Sequence, residues 1–295
     1  MVATRRPARP DHATGRPVEL SAYHSEVEAA VMALDSSVAA GDDYGMALDV
    51  LERMLRGPAA RSVIDRLSYG REEVLAAARR ELEDPKLRVP SNPRSRAALV
   101  RILLLHQIDA TWWSDLEPYA DRAAVEAAPE LLSLPALHKA GALRFRFAVQ
   151  PVGWVGRGRD HALRRMAPGR RPQVSGMKFL VARREMVAVL NEIADALRRE
   201  APTGTPPLWV NSIVRSVEHQ QHLSALGYSA LLPSSHCLGY AADVEMGWYE
   251  SFGAATTLRA ILSDYRDRGV LNVIDEGQAW HLCLSPWHTL AYRDR

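Results

Sequence analysis

The chain has 295 residues, of which 47% are apolar and 24% are charged, so it can bury a hydrophobic core and is not a disordered or collagen-like protein. Its 37 basic and 35 acidic side chains leave a net charge of +2, which argues against wholesale nucleic-acid binding. The two cysteines, Cys237 and Cys283, are too few for a disulfide framework or a four-cysteine zinc site. Any metal ligands are therefore expected among His, Asp and Glu.

The first segment, residues 1–19, contains basic residues and prolines, and no apolar stretch follows it. We therefore expect a disordered tail and not a secretory leader. No apolar run in the sequence approaches the roughly 18 residues of a membrane span. On this basis we expect no membrane partner and a cytoplasmic location.

Residues 20–140 repeat apolar side chains at spacings of three and four, which is typical of amphipathic helices. Val27, Val31 and Leu34 form one such apolar face, and the segment that begins at Arg96 is predicted to be the most buried helix. Glycine and proline residues separate these segments. The pattern predicts an all-helical domain, and nothing in it alternates with the period of a strand.

The composition changes in residues 141–172, where eight arginines are interspersed with glycines and prolines. One interpretation is an anion-binding surface for nucleic acid or a polyanionic substrate, with Trp154 available for stacking. The other is a solvated linker between two domains. We favour the linker, and nucleic acid is not an expected partner.

Residues 173–295 alternate helical and strand-like patterns. Helices are predicted over 179–200, from 215 to near Gly227, and over 252–269, and strands over 208–214, 239–246, 270–274 and 280–285. The sequence therefore predicts an α+β protein, in which the helical domain precedes a compact α+β domain with a small antiparallel sheet.

Three residues of this second domain match the chemistry of a hydrolytic zinc site, which commonly uses two histidines and one carboxylate and leaves a position for water. His236 and Asp243 lie on either side of a predicted turn into a strand, and His281 lies on a later strand. A turn and an adjoining strand can bring such residues to one metal ion. The spacing alone also fits histidines that are simply part of the core.

Three ordered elements of this domain resemble a known family. The stretch from Ser234 to Asp243 resembles the Ser-x-His-x-x-Gly-x-Ala-x-Asp signature of the D-Ala-D-Ala carboxypeptidase and dipeptidase family. These zinc peptidases include the vancomycin-resistance D,D-peptidases and share a fold with the hedgehog signalling domain. Upstream, residues 212–220 resemble the family's Ser-Gly-Tyr-Arg-Ser-x-x-x-Gln element, and downstream Trp280-His281 resembles its Glu-x-Trp-His element. The resemblance covers residues 175–290.

The resemblance implies that His236, Asp243 and His281 bind zinc, although other divalent ions suit these ligands nearly as well. It implies that Arg215 holds substrate oxygens and stabilises a tetrahedral oxyanion, and that Ser234 orients the substrate or the groups around the ligands.

Two further residues are candidates for substrate binding. Gln220 is in register with the family's glutamine, but it also fits an amide on a helix surface. Trp280, beside the last ligand, is a candidate wall of the cleft, and core packing explains it equally well. For Arg215 the alternative is a surface salt bridge with Glu218.

One departure from the family concerns the catalytic carboxylate, which in the family stands three residues before the last histidine. Here that position is Gln278, and a glutamine cannot accept a proton from water. Loss of a positioned general base typically costs about 10²–10⁴ in rate. Either Glu276 or Asp275 replaces it from a shifted loop, or the reaction differs. Both acids also fit a solvent-exposed turn.

The sequence thus predicts a zinc-dependent peptidase or amidase that acts on a small peptide or peptide-like metabolite. One alternative is a metal-binding recognition or scaffold module that has lost hydrolysis. Another is a metal cleft that carries out a different reaction in metabolite biosynthesis. The oligomeric state stays open.

Overall fold

The fold is known from a computed structural model. It describes residues 17–37, 43–65, 67, 69–83, 95–151, 171–172, 174–228 and 230–293. Most of the predicted tail, residues 1–16, lies outside the described residues, and so does most of the arginine-rich connection. Residues 17–19 of the predicted tail already belong to the first helix.

The described residues of the N-terminal part of the chain, which we call the helical half (residues 17–112), form five helices. They are α1 (Pro17–Ser37), α2 (Asp43–Arg56), α3 (Pro58–Ile64), α4 (Gly70–Glu83) and α5 (Arg96–Trp112). Helix α5 packs against each of the other four, and 11 of its 17 residues are buried. The Ser95 side chain accepts a hydrogen bond from the Ala98 backbone N–H and caps this helix. The prediction of a central buried helix from Arg96 is confirmed.

The remaining elements form the sheet half (residues 113–293). Its first elements are α6 (Arg122–Ala127), β1 (Leu131–Ser133), α7 (Leu134–Lys139), β2 (Arg146–Phe147) and β3 (Val181–Arg183). Strand β1 pairs antiparallel with β3. The expectation of helices alone up to residue 140 is therefore wrong, because a three-residue strand is too short to show an alternating pattern and its partner is distant in sequence.

The later elements follow the predicted order of helices and strands. They are α8 (Arg184–Glu200), β4 (Trp209–Ser212), α9 (Val217–Ala225), β5 (Ala241–Glu245), α10 (Ala255–Asp267), β6 (Leu271–Asp275), β7 (Ala279–Leu284) and α11 (Thr289–Arg293). Short 3₁₀ turns span Ser235–Leu238, Gly247–Phe252 and Pro286–His288. The helix predicted from residue 179 begins at Arg184, since the residues before it form β3.

The main sheet has five strands in the order β2-β4-β5-β7-β6. Strand β2 is parallel to β4, whereas the other neighbouring strands are antiparallel. The α+β class is confirmed, and the small sheet is antiparallel except at its β2 edge. That edge strand comes from the segment predicted as a linker.

The two faces of the sheet differ in what covers them. Ala242, Val244 and Leu282 point to one face and join a hydrophobic core that includes side chains of α8 and α10. On the opposite face, Ile274 packs into the core of the helical half. This second core extends over residues 23–110, whereas Trp113 and the residues after it pack with the sheet. The sheet therefore lies between the helical half and the helices α8 and α10.

Among the helices in the described ranges, none is long and apolar enough to cross a bilayer.

Candidate metal centre

Three buried side chains converge on the sheet face that the helical half covers. His236 lies in the 3₁₀ turn before β5, Asp243 lies on β5 and His281 lies on β7. Gly239 ends the turn with a φ of 75°, a left-handed conformation that favours glycine. The β5–β7 register places Asp243 directly opposite His281. The side chains are nearly inaccessible, with residue exposures of 2% for His236, 7% for Asp243 and 2% for His281.

The distances between these side chains suit a tetrahedral metal ion. The Oδ1 atom of Asp243 lies 3.0 Å from His236 Nε2 and 3.2 Å from His281 Nδ1. The three ligand atoms all lie within 4.8 Å of one another. Neighbouring ligands of a tetrahedral zinc ion with bonds of 2.0–2.2 Å are about 3.3 Å apart. The cluster of His236, Asp243 and His281 can therefore hold a metal ion.

The other nitrogen of each histidine is held from outside the cluster. His236 Nδ1 lies 2.7 Å from the Ile213 carbonyl oxygen, which only accepts hydrogen bonds, so Nδ1 carries the hydrogen. Burial lowers the pKa of His236 and so favours the neutral form, in which the ring presents the Nε2 lone pair to the cluster. His281 Nε2 lies 2.7 Å from Oδ2 of Asp109 on α5. Hydrogen bonds of this kind orient the histidines of metal sites.

The charges in the cluster also favour a cation. Burial opposes ionisation of Asp243, but the His236 ring and the Arg215 guanidinium hold the pKa of this carboxyl well below its usual range. Burial also opposes a charged His281, yet hydrogen bonds to Asp109 and Asp243 raise its pKa well above the usual value. The two carboxylates thus favour the protonated form of His281 in the metal-free protein. Metal binding releases such protons.

All three guanidinium nitrogens of Arg215 are bonded to neighbouring side chains, and one of these side chains belongs to the cluster. Nη2 pairs with Oδ2 of Asp243, Nε donates to Ser212 Oγ at 3.0 Å, and Nη1 donates to Gln220 Oε1 at 3.3 Å. Its backbone N–H also donates to the His236 carbonyl oxygen at 3.1 Å. The guanidinium therefore pairs with Asp243, and the considered salt bridge with Glu218 is not the arrangement found.

Gln220 and Ser234 are buried beside this network. Gln220 accepts from Arg215 and donates through Nε2 to the Leu231 carbonyl oxygen at 3.1 Å, so it is a buried bridge and not a surface amide. Ser234 begins the 3₁₀ turn, where its carbonyl oxygen accepts from the Cys237 N–H at 2.9 Å. Its neighbour Ser235 contacts the site, because its hydroxyl donates to Oδ2 of Asp109 at 3.0 Å.

The hairpin between β6 and β7 contains the acids considered as replacements for the missing carboxylate. Gln278 Nε2 donates to the Gly277 carbonyl oxygen at 3.0 Å, within its own turn. Asp275 Oδ1 accepts from the Gly277 N–H at 2.8 Å and stabilises the turn. Glu276 is half-buried, and burial together with the Asp243 carboxylate raises its pKa to about 7, against the opposing charges of His281 and Arg215. The charges of the cluster thus act on the Glu276 carboxyl.

Trp280 lies away from the cluster. Side chains alternate along a strand, so Trp280 and His281 occupy opposite faces of β7. Trp280 is buried in the core behind the sheet, with the Arg259 guanidinium 5.3 Å from its ring centroid. The structure does not bring this predicted substrate-binding residue to the candidate metal site.

Asp109 is the residue of this site that the sequence motifs miss. It belongs to the helical half, which the family resemblance does not cover. The available signal is an acid near the end of a largely apolar helix, RAALVRILLLHQIDATW. A buried acid is rare unless it is paired, but the sequence does not reveal its partner.

A cavity of about 320 Å³ lies next to Asp109, at the junction of the two halves. Its lining includes Tyr69, Trp113, Ser234 and Ser235, but not the three candidate ligands. Two groups whose charges act on Asp243 are themselves partly exposed: the Arg215 side chain is 20% exposed, and Glu276 is half-buried.

Comparison with known proteins found no matching family model, no matching curated protein and no matching solved structure. The functional interpretation therefore depends on the sequence motifs and on the geometry described above.

Proposed function

We propose that the chain is a metal-dependent hydrolase of peptide or amide bonds, with zinc held by His236, Asp243 and His281. The observation that carries this proposal is the convergence of three acceptor atoms, with the outer nitrogen of each histidine held by a further acceptor. The motifs shared with the D-Ala-D-Ala peptidases favour a small peptide or peptide-like metabolite as substrate.

Glu276 is the proposed general base in place of Gln278. Bound zinc would supply a Lewis acid and lower the pKa of a water molecule toward about 7. Glu276 has a pKa of about 7 without the metal, which is near the optimum for proton transfer at neutral pH. A nearby cation favours its carboxylate form. Glu276 would accept a proton from the attacking water and deliver it to the leaving amine.

Arg215 has two proposed roles. Its pairing with Asp243 keeps that carboxylate ionised and fixes its orientation. A guanidinium has five N–H donors, and the three hydrogen bonds described above leave two for a substrate oxygen. The positive charge beside the cluster would stabilise an oxyanion, which is where preorganised charge contributes most to catalysis.

A structural metal centre is the second candidate, and the burial of the ligands favours it. All three are less than 8% exposed, and Asp109 ties His281 to the helical half. In this case the metal would stabilise the junction of the two halves, and the chain would act as a recognition or scaffold module.

The first experiment measures the metal content of the protein purified without chelator, together with peptidase activity on D-Ala-D-Ala and a panel of other dipeptides. A single zinc per chain that is lost in His236→Ala supports the site, and metal-dependent peptide cleavage supports the hydrolase. His222→Ala is the matched control, because this histidine lies on α9 outside the cluster. Absence of metal from the wild type after zinc addition would reject both candidates. Bound zinc without any cleavage, but with loss of folding on chelation, would favour the structural centre.

A further inference from the structure

Asp109 is an acid in the interior of the protein, and its carboxylate is satisfied by donors from the sheet half. It lies on α5 and is 1% exposed. Its Oδ2 atom accepts hydrogen bonds from His281 Nε2 at 2.7 Å and from Ser235 Oγ at 3.0 Å. Its Oδ1 atom accepts from Asn272 Nδ2 at 2.8 Å. Burying a carboxylate is costly unless it is hydrogen-bonded in this way.

These contacts join three separate segments of the sheet half to one helical residue. His281 lies on β7, Asn272 lies on β6, and Ser235 directly precedes His236 in the 3₁₀ turn. Docking of α5 does not itself require a carboxylate, since Ile274 packs into the helical core and Asn272 Nδ2 also donates to the Leu105 carbonyl oxygen at 3.0 Å. The particular feature of Asp109 is its bond to the outer nitrogen of a candidate ligand.

That bond determines which nitrogen of His281 can bind a metal. A carboxylate that accepts from Nε2 keeps the hydrogen there, so that in the neutral ring the lone pair is on Nδ1. Nδ1 is the atom that lies 3.2 Å from Asp243 Oδ1, inside the cluster. Without Asp109 the ring can adopt the other tautomer or rotate, and fewer molecules then present a ligand nitrogen to the site.

We propose that Asp109 is a positioning residue of the metal centre, through which the helical half orients His281 for metal binding. This inference rests on the proposed metal site and extends it, because it makes the helical half a component of that site. In the same arrangement, the bonds from Ser235 and Asn272 hold the Asp109 carboxylate in place.

The test compares zinc affinity in Asp109→Asn and in Glu185→Gln, using a competing chelator. The first change keeps the shape of the side chain but replaces the carboxylate by a neutral amide, whose oxygen is a weaker acceptor for His281. Mutation of such an outer partner typically weakens metal binding about 10- to 100-fold. Glu185 is a matched control, because it is 5% exposed and bonds to Arg293 Nε at 2.9 Å, in the sheet half. We expect no change in zinc affinity from Glu185→Gln.

The absorption spectrum of the cobalt-substituted protein adds a readout that a loss of stability alone would not alter. We expect Asp109→Asn to change the visible bands, because a neutral amide holds the His281 ring less firmly than a carboxylate does, and Glu185→Gln to leave them unchanged. Wild-type zinc affinity and an unchanged cobalt spectrum in Asp109→Asn would overturn the proposal.

A measurement on the metal-free protein tests the role of Asp109 independently of the proposed function. A ring N–H donated to a buried carboxylate gives a slowly exchanging, downfield proton signal. This signal is expected for His281 in the wild type, and in Asp109→Asn, which offers only a neutral amide oxygen, we expect it to move upfield or to disappear. If the wild type binds no zinc, the metal site fails, while this signal still decides whether Asp109 holds the ring. If Asp109→Asn does not fold, Ser235→Ala replaces it, with a smaller decrease in zinc affinity expected. Unchanged zinc affinity in that variant would also count against the proposal.

Discussion

The helical half and the sheet half contribute to the candidate metal centre in different ways. The sheet half supplies the three candidate ligands, and two of them are only seven positions apart in the chain. The helical half supplies Asp109, which is 172 positions from the histidine it contacts. The groups that would bind the metal are thus encoded locally, whereas a group that orients them comes from a distant segment.

The junction of the two halves differs from the interior of either half. Each half has its own apolar core, but at the junction a hydrogen-bonded group of polar side chains lies beside the apolar Ile274. Asp109, Asn272, Ser235 and His281 form this group. Buried polar groups are costly when they are unpaired, so the bonds of Asp109 to His281, Ser235 and Asn272 favour one orientation of the two halves.

The variant with the largest expected effect tests whether the general base for peptide cleavage lies in the sheet half. We expect Glu276→Gln to lower the rate of peptide cleavage by about 10²–10⁴, because it removes the proposed base, and to leave zinc bound. Gln278→Ala is the control, since this side chain bonds within its own turn, and near-normal rates are expected. Steady-state kinetics and metal content check both variants.

A normal rate in Glu276→Gln would show that the proton is handled elsewhere. In that case Asp109 becomes the next carboxylate to test, because it lies beside the ligands and is not itself a proposed ligand. The proposal that the sheet half supplies the base and the helical half only orients a ligand would then be wrong.

A second prediction concerns the apolar packing of the sheet against the helical half. Ile274 is a sheet residue that is fully buried in the helical core, whereas Ile261 on α10 is 5% exposed in the core behind the sheet. Each change to alanine is expected to lower the free energy of unfolding by about 2–5 kcal/mol. Only Ile274→Ala is expected to increase amide hydrogen exchange in α5. Equal exchange in α5 for the two variants would mean that the two halves unfold as one unit.

The sequence predicted much of the sheet half, because its signals are local. The spacing from Ser234 to Asp243 and the strand-like patterns of β5 and β7 indicate the candidate ligands from short stretches of sequence alone. Register then pairs Asp243 with His281. The three-residue strand β1 and the two-residue strand β2 have no such pattern, because pairing with distant segments stabilises them.

Roles that depend on packing between distant segments were harder to predict. Trp280 follows the family motif, yet the alternation of its strand places it behind the sheet. The sequence around Gln220 fits a surface position and a buried position equally well. Only the fold shows that this residue lies between Arg215 and Leu231. Asp109 contacts the site because α5 packs on β6, which no pattern within α5 predicts.

A third prediction concerns the loss of folding stability at acidic pH that a buried histidine of the junction causes. His24 on α1 is 7% exposed, and burial lowers its pKa from 6.5 to about 4, with Arg266 of α10 acting in the same direction. Asn272, Val273 and Asp267 oppose this shift. The unfolded chain therefore binds a proton at a higher pH than the folded chain does. The contribution of His24 to stability is complete above pH 6.5 and is lost as the pH falls toward 4.

Urea unfolding at pH 7 and pH 4 measures this effect. We expect His24→Gln to reduce the pH dependence of the unfolding free energy by up to about 3 kcal/mol. His138→Gln, a change on α7 in the sheet half, is the control. If the unfolding free energy changes equally between pH 7 and pH 4 in His24→Gln and in the wild type, His24 is not buried in its neutral form.

The smallest expected effect compares two helix caps, one in each half. Ser95 caps α5 by accepting from the Ala98 N–H at 3.1 Å, and Ser216 caps α9 by accepting from the His219 N–H at 3.1 Å. Each serine-to-alanine change is expected to cost about 1 kcal/mol of unfolding free energy.

The two serine-to-alanine changes should differ in their effects on zinc affinity. Ser216 follows Arg215 directly, so its loss is expected to loosen the guanidinium that holds Asp243. Ser95 is more than three helical turns from Asp109, and fraying at that end leaves the carboxylate in place. A chelator competition showing weaker zinc binding in Ser95→Ala than in Ser216→Ala would mean that the metal centre depends on the full length of α5 more than on the network around Arg215.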